Sequence, residues 1–281
     1  MTALADMGFR RVLARLAITV ALALLGRTAA AAETVLIPAP GVELNAVMYR
    51  PAGAGPFPAV VALHGCGGLY GRDGGLSARH ADWGERLSKL GFIVLFPDSF
   101  GSRGAGSQCS TTSRVARPSA ERVADALAAK SFLQSRPDVK PEAVSLMGWS
   151  NGGSTVLHAV EPGAAARGRA PDFTRAVALY PGCRTLVEHG NWRSRLPLLI
   201  LIGASDDWTP AARCNALAQQ AANVSIVLYP GAYHDFDYPD MPLRTRSGLA
   251  YTADRSGVAH TGTEPAARED ALRRVPAFLA H

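Results

Sequence analysis

The apolar run Ala143-Val144-Ser145-Leu146-Met147 leads without a break into Gly148-Trp149-Ser150-Asn151-Gly152-Gly153. A strand that turns at once into a helix forces its corner residue into a strained backbone conformation, and side chains two positions either side of it would collide. Glycines at 148 and 152 relieve that collision. Gly-x-Ser-x-Gly in this setting therefore predicts a buried strand, a tight turn that raises Ser150 above a sheet, and a helix behind it. With 28 glycines in the chain, a bare match arises by accident in roughly one such sequence in ten, so the rest of the chain must supply partners for the serine.

Short apolar runs bounded by Gly and Pro alternate with helical stretches elsewhere, the pattern of a mostly parallel sheet covered on both faces. Strands are predicted near 33–38, 43–49, 58–64, 92–97, 143–148, 175–180, 197–203 and 224–229, and helices at 78–90, 119–135, 151–160, 210–222 and 266–280. Turn chemistry at Ala39-Pro40-Gly41 makes the first two strands an antiparallel hairpin. The fold class is α/β, a single domain with a doubly wound eight-stranded sheet flanked by helices. Residues 101–117 and 241–263 resist this reading; both are long enough to be functional loops, with surface disorder an equal alternative for the second.

Arg10, Arg11 and Arg15 precede an apolar run from Leu16 to Leu25 and then Ala29-Ala30-Ala31-Ala32, which reads as a secretory signal peptide over 1–32, cut before Glu33. Its apolar core is half the roughly twenty residues that span a bilayer, so no stable membrane anchor is expected after cleavage. The domain then covers 33–281, in the periplasm or outside the cell. Without the leader the formal charge of +6 falls to +3, with 25 basic residues scattered among 22 acidic ones, and no nucleic-acid partner is implied. Cys66, Cys109, Cys183 and Cys214 favour disulfides in that compartment, with three pairings open. Placement at neighbouring strand ends prefers Cys183 with Cys214, leaving Cys66 with Cys109. No Cys-x-x-Cys pair suggests zinc.

A serine hydroxyl is a weak nucleophile at neutral pH and needs an imidazole oriented by a carboxylate. On an open α/β sheet these groups follow the serine in the order acid, then histidine, each past a strand's C-terminal end. Of the later histidines, His234 lies just past the run ending at Tyr229, whereas His260 sits in an irregular stretch and His281 ends the chain. The acid is Asp206 in Ala204-Ser205-Asp206-Asp207-Trp208-Thr209-Pro210, with Pro210 opening the next helix and Asp207 the less favoured choice. Two backbone N–H donors are expected to hold the oxyanion, those of Asn151 and of Cys66 in His64-Gly65-Cys66-Gly67-Gly68. Those glycines match no phosphate-cradling motif. His64 reads as a structural bond to its loop, and the Cys66 side chain as a disulfide or inert filler rather than a nucleophile. His234-Asp235-Phe236-Asp237 offers hard metal ligands but lacks a second cluster.

At these residues, and at Phe96-Pro97-Asp98-Ser99-Phe100-Gly101-Ser102-Arg103-Gly104 and Tyr180-Pro181-Gly182-Cys183, the chain resembles the dienelactone hydrolase family of the α/β-hydrolase superfamily. The resemblance covers essentially the whole mature chain. It implies an α/β-hydrolase fold, a Ser150-Asp206-His234 triad, a small-molecule ester or lactone substrate and no cofactor. The family's namesake has a cysteine nucleophile where Ser150 stands, and a glutamate where Gly65 stands, so a serine-nucleophile carboxylic ester hydrolase is expected rather than the namesake activity. A serine peptidase and a non-catalytic ligand-binding scaffold are the alternatives. Arg103, through bidentate carboxylate recognition, and Trp149 are the candidates for substrate contact.

Overall fold

The computed structural model describes residues 32–164 and 170–280. The leader expected over 1–32 lies outside the described residues except for Ala32, and so does His281. Eight strands, β1 (Ala32–Ala39), β2 (Val42–Tyr49), β3 (Phe57–Leu63), β4 (Ile93–Pro97), β5 (Val139–Trp149), β6 (Ala176–Leu179), β7 (Leu198–Gly203) and β8 (Val224–Tyr229), make one sheet in the order β1-β2-β4-β3-β5-β6-β7-β8. β1 and β2 form the expected hairpin and β2 runs antiparallel to β4. Every later neighbour is parallel. Strands β4, β6 and β7 are buried along their whole length, which is why they read as unbroken apolar runs rather than alternating ones.

Six helices are described: α1 (Ala78–Lys89), α2 (Glu121–Gln134), α3 (Asn151–Ala159), α4 (Arg184–His189), α5 (Ala211–Ala218) and α6 (Pro265–Ala280). The sequence reading lacks α4, whose six residues are too few to display a 3.6-residue period. The 241–263 stretch is ordered, which corrects the disorder alternative. It contains a short antiparallel pair, β9 (Arg244–Arg246) and β10 (Ala259–Thr261), and His260 sits in that second strand rather than in an irregular segment. Ala250 N–H donates to the Cys109 carbonyl at 2.8 Å and so ties this stretch to the 101–117 loop.

Chain order fixes where a site can form. β4 and β5 flank β3, so the winding reverses direction there and the loops after β3 and β5 diverge above the sheet. Leu63 pairs with Gly148, which brings the Cys66 loop and Ser150 out of the sheet at one level. Both expected disulfides are present, Cys66–Cys109 and Cys183–Cys214. Among the described residues no helix is long and apolar enough to cross a membrane.

Candidate active site

Ser150 stands at the corner between β5 and α3 with φ 51° and ψ −112°, a left-handed conformation that a side chain rarely adopts. Its N–H donates to the Leu179 carbonyl at 2.9 Å, which anchors the corner to β6. The flanking glycines are required by contact. A Cβ on Gly148 would sit 2.5 Å from the Gly152 carbonyl, and one on Gly152 would sit 2.1 Å from the Leu63 oxygen, because α3 starts hard against β3.

His234 leaves β8, three strands away from β5, and must fold back over β7 to reach the serine. Gly203 makes this possible: a Cβ there would lie 2.2 Å from the Ala232 carbonyl, so only a bare backbone lets residues 230–233 cross the end of β7. The crossing is pinned by Ser205 N–H donating to Ala232 O at 3.0 Å. Nε2 of His234 then lies 2.9 Å from Ser150 Oγ, and Nδ1 lies 2.8 Å from Asp206 Oδ2. Asp206 is itself held by the N–H groups of Trp208 and Thr209 on Oδ1, at 2.9 and 2.8 Å, and by the Thr209 hydroxyl donating to Oδ2 at 3.0 Å. A carboxylate fixed in this way accepts from Nδ1–H and leaves Nε2 as the acceptor facing the serine hydroxyl. Burial works against the imidazolium, yet the Asp206 carboxylate and its hydrogen bond outweigh burial and raise the His234 pKa above its ordinary value.

Asp207, the less favoured acid, points elsewhere. Its two oxygens accept from the backbone N–H and Nδ1 of His260, at 2.9 and 2.6 Å, and brace β10 instead of His234.

The expected oxyanion donors lie on either side of Ser150. A Cβ built on Gly65 would fall 3.6 Å from the Cβ of Ser150, so the loop carrying Cys66 touches the serine. Asn151 opens α3, where the first N–H groups have no partner within the helix. Among the described residues neither the Cys66 nor the Asn151 amide donates to a loop or side-chain acceptor. His64 bonds its own loop: Ser99 N–H donates to Nε2 at 3.1 Å and Nδ1 donates to the Gly65 carbonyl at 2.8 Å. Burial and the neighbouring Arg122 cation push its pKa well down, so the ring is neutral. Arg122, absent from the residues expected from the sequence, is fully buried beneath this region and donates to the Asn151 side-chain oxygen and to the His64 carbonyl. Its signal in the sequence is weak: Arg122 shares the buried face of α2 with Ala126, Ala129 and Leu133 but also with Asp125 and Lys130, so one more charge there does not stand out.

The two substrate-contact expectations, Trp149 and Arg103, are corrected by the structure. Trp149 is fully buried under the sheet, stacked on Phe96, with Nε1 donating to Asp237 at 2.8 Å. The side chain that precedes Ser150 points to the opposite face of the sheet. Arg103 grips Asp125 with two hydrogen bonds of 2.8 and 2.9 Å and donates to the Ser99 carbonyl, which braces the loop after β4 and leaves it outside the cleft lining. The carboxylates of His234-Asp235-Phe236-Asp237 are likewise engaged. Asp235 accepts from Arg79 at 2.5 Å, and the fully buried Asp237 accepts from Trp83, Trp149 and Tyr180.

Ser150 opens into a cleft of about 660 Å³ shared by the 101–117 loop, the start of α4, the start of α5 and the 241–263 stretch. Five arginines line it, Arg114, Arg117, Arg184, Arg213 and Arg255, against a single acid, Glu188; Arg117 pairs with Glu121, and the other four form no salt bridge among the described residues.

Comparison with known proteins agrees with this architecture. A Synechocystis sp. protein with a provisional carboxymethylenebutenolidase name is 26% identical over 221 residues, 72% of this chain and 85% of the relative. The dienelactone hydrolase structure from Anabaena variabilis superposes with a TM-score of 0.62 at 17% identity, covering 90% of this chain and 99% of the other. Thermogutta terrifontis esterase 2 gives 0.62 at 19% identity, covering 89% and 94%. The dienelactone hydrolase family profile matches residues 44–281, and the chain belongs to that family.

Proposed function

We propose that the protein is an exported serine hydrolase that cleaves carboxylic esters or lactones through an acyl-enzyme on Ser150. The observation that carries this reading is the unbroken chain from Ser150 Oγ through His234 to Asp206, at 2.9 and 2.8 Å, opening into the cleft. As Oγ attacks the carbonyl carbon, Nε2 of His234 takes the hydroxyl proton, and the carbonyl π pair moves to oxygen, held by the Asn151 and Cys66 N–H groups. Collapse of this intermediate breaks the bond to the alcohol oxygen, which leaves with the proton from Nε2. Water then repeats the sequence on the acyl-enzyme and returns Ser150 and the free acid. No cofactor enters these steps.

Export rests on the leader expected over 1–32 and on the two disulfides, which persist in oxidising compartments. The role expected of Arg103 passes to the cleft arginines without a salt bridge, Arg114, Arg184, Arg213 and Arg255, which favour an ester bearing an anionic group. Reaction with a fluorophosphonate probe followed by peptide mapping tests the mechanism. The expected result is one adduct, on Ser150, lost on prior heating; a folded protein that stays unlabelled, or is labelled elsewhere, contradicts it.

A further inference from the structure

We propose that Arg122 is the positioning residue of the oxyanion site, clamping the two segments that carry the donor amides, Cys66 and Asn151, in one fixed relation. This rests on the acyl-enzyme reading above. The two donors belong to different parts of the chain, a loop after β3 and the first turn of α3, so something must hold their spacing against thermal motion if both are to meet one oxygen. Arg122 is built for that task. One guanidinium donates from Nη1 to the Asn151 side-chain oxygen and from Nη2 to the carbonyl of His64 at 2.8 Å. Its planar fork makes the two contacts rigid with respect to each other, which a lysine ammonium could not do.

The surroundings argue against a purely structural role. Arg122 is 0% exposed, yet no carboxylate bonds to it. Asp125, one turn along the same helix, is taken by Arg103. Asp98 accepts the N–H groups of Phe100 and Gly101. Arg122 Nε and Asn151 Nδ2 are buried without a partner. A buried cation with no bonded carboxylate and with unsatisfied donors weakens a fold, and the other charged side chains that this helix buries, Asp125 and Lys130, each have an opposite charge beside them, Arg103 and Asp172. Burial lowers the Arg122 pKa to about 9, which still leaves a cation at neutral pH. That charge sits one hydrogen bond behind both donor segments, where it favours a negative oxygen in front of them.

The test uses the full mature chain, with Arg122→Met, Arg122→Lys and Asn151→Ala, the last of which keeps the donor amide and removes one anchor of the clamp. Turnover of a short p-nitrophenyl ester is measured beside the Ki of an arylboronic acid, whose tetrahedral adduct places an oxygen in the oxyanion site. We expect Arg122→Met to lower kcat about 100-fold with KM within about threefold, and to weaken the boronate by a comparable factor. Asn151→Ala loses about tenfold on both readouts, and Arg122→Lys falls between the two. Circular dichroism and Tm establish that each variant is folded under the assay conditions. A folded Arg122→Met protein with kcat and boronate Ki within about threefold of the parent overturns the proposal. If Arg122→Met does not fold, unchanged kcat and Ki in Asn151→Ala overturn it instead. A parent that neither turns over esters nor reacts with the fluorophosphonate overturns the acyl-enzyme reading and this inference with it, whereas an active parent with indifferent variants overturns only the inference.

Discussion

Adjacent aspartates, Asp206 and Asp207, take different histidines, and this sets what each should contribute to turnover. Asp206→Asn deprives His234 of the group that fixes its tautomer and is expected to lower kcat by about 10³ to 10⁴. Asp207→Asn, which loosens only the contact to His260, should stay within a few-fold of the parent; equal losses in both would contradict the assignment. The pH profile carries the same distinction. The proposed base, His234, can accept a proton only when neutral, and Asp206 raises its pKa, so kcat/KM should climb with pH through a midpoint above the ordinary imidazole value. Without the carboxylate that midpoint moves down. At this scale the sequence was legible where chemistry and chain order left few candidates, and the structure brings together the Ser150, Asp206 and His234 chosen that way. It was not legible where a side chain's direction depends on a remote partner. The indole of Trp149 is claimed by Asp237, 88 residues further on, and the guanidinium of Arg103 by Asp125 on the next helix.

Elements long enough to show their period were readable, and those that were not are short. Every strand of the main sheet falls within a few residues of its predicted span, because strands buried on both faces stand out as apolar runs between glycines and prolines. Helix α4, with six residues, and β9 and β10, with three each, are too brief for any periodicity and are set by tertiary contacts instead. The junction of β5 and α3 was visible because it is a collision problem with a glycine solution. Gly152→Ala is accordingly predicted to destabilise the protein by about 3 kcal/mol or to prevent folding, since the new methyl group meets the Leu63 backbone oxygen, which cannot swing aside. Thermal denaturation of the variant measures this directly, and a Tm within a degree or two of the parent would show that α3 can shift away from β3.

For the molecule as a whole, the topology delivers a cleft at the switch point of the sheet, with one disulfide tying the loop after β3 to the 101–117 loop and the other tying the start of α4 to α5. The near-balanced overall charge hides a local excess: five arginines, four of them without a salt bridge among the described residues, converge on the cleft from segments scattered between residues 114 and 255, a clustering that a linear sequence does not display. An ester carrying a carboxylate should therefore be preferred over its neutral counterpart, for instance p-nitrophenyl hemisuccinate over p-nitrophenyl butyrate, by about tenfold in kcat/KM at low ionic strength. The preference should shrink as salt screens the cleft, and one that is absent or indifferent to salt would remove the arginines from substrate selection. The most direct test of the whole account is the rate at which correctly folded Ser150→Ala protein hydrolyses a short p-nitrophenyl ester. A nucleophile held by His234 and Asp206 predicts a loss of at least about 10³-fold in kcat, and hydrolysis as fast as the parent would contradict it.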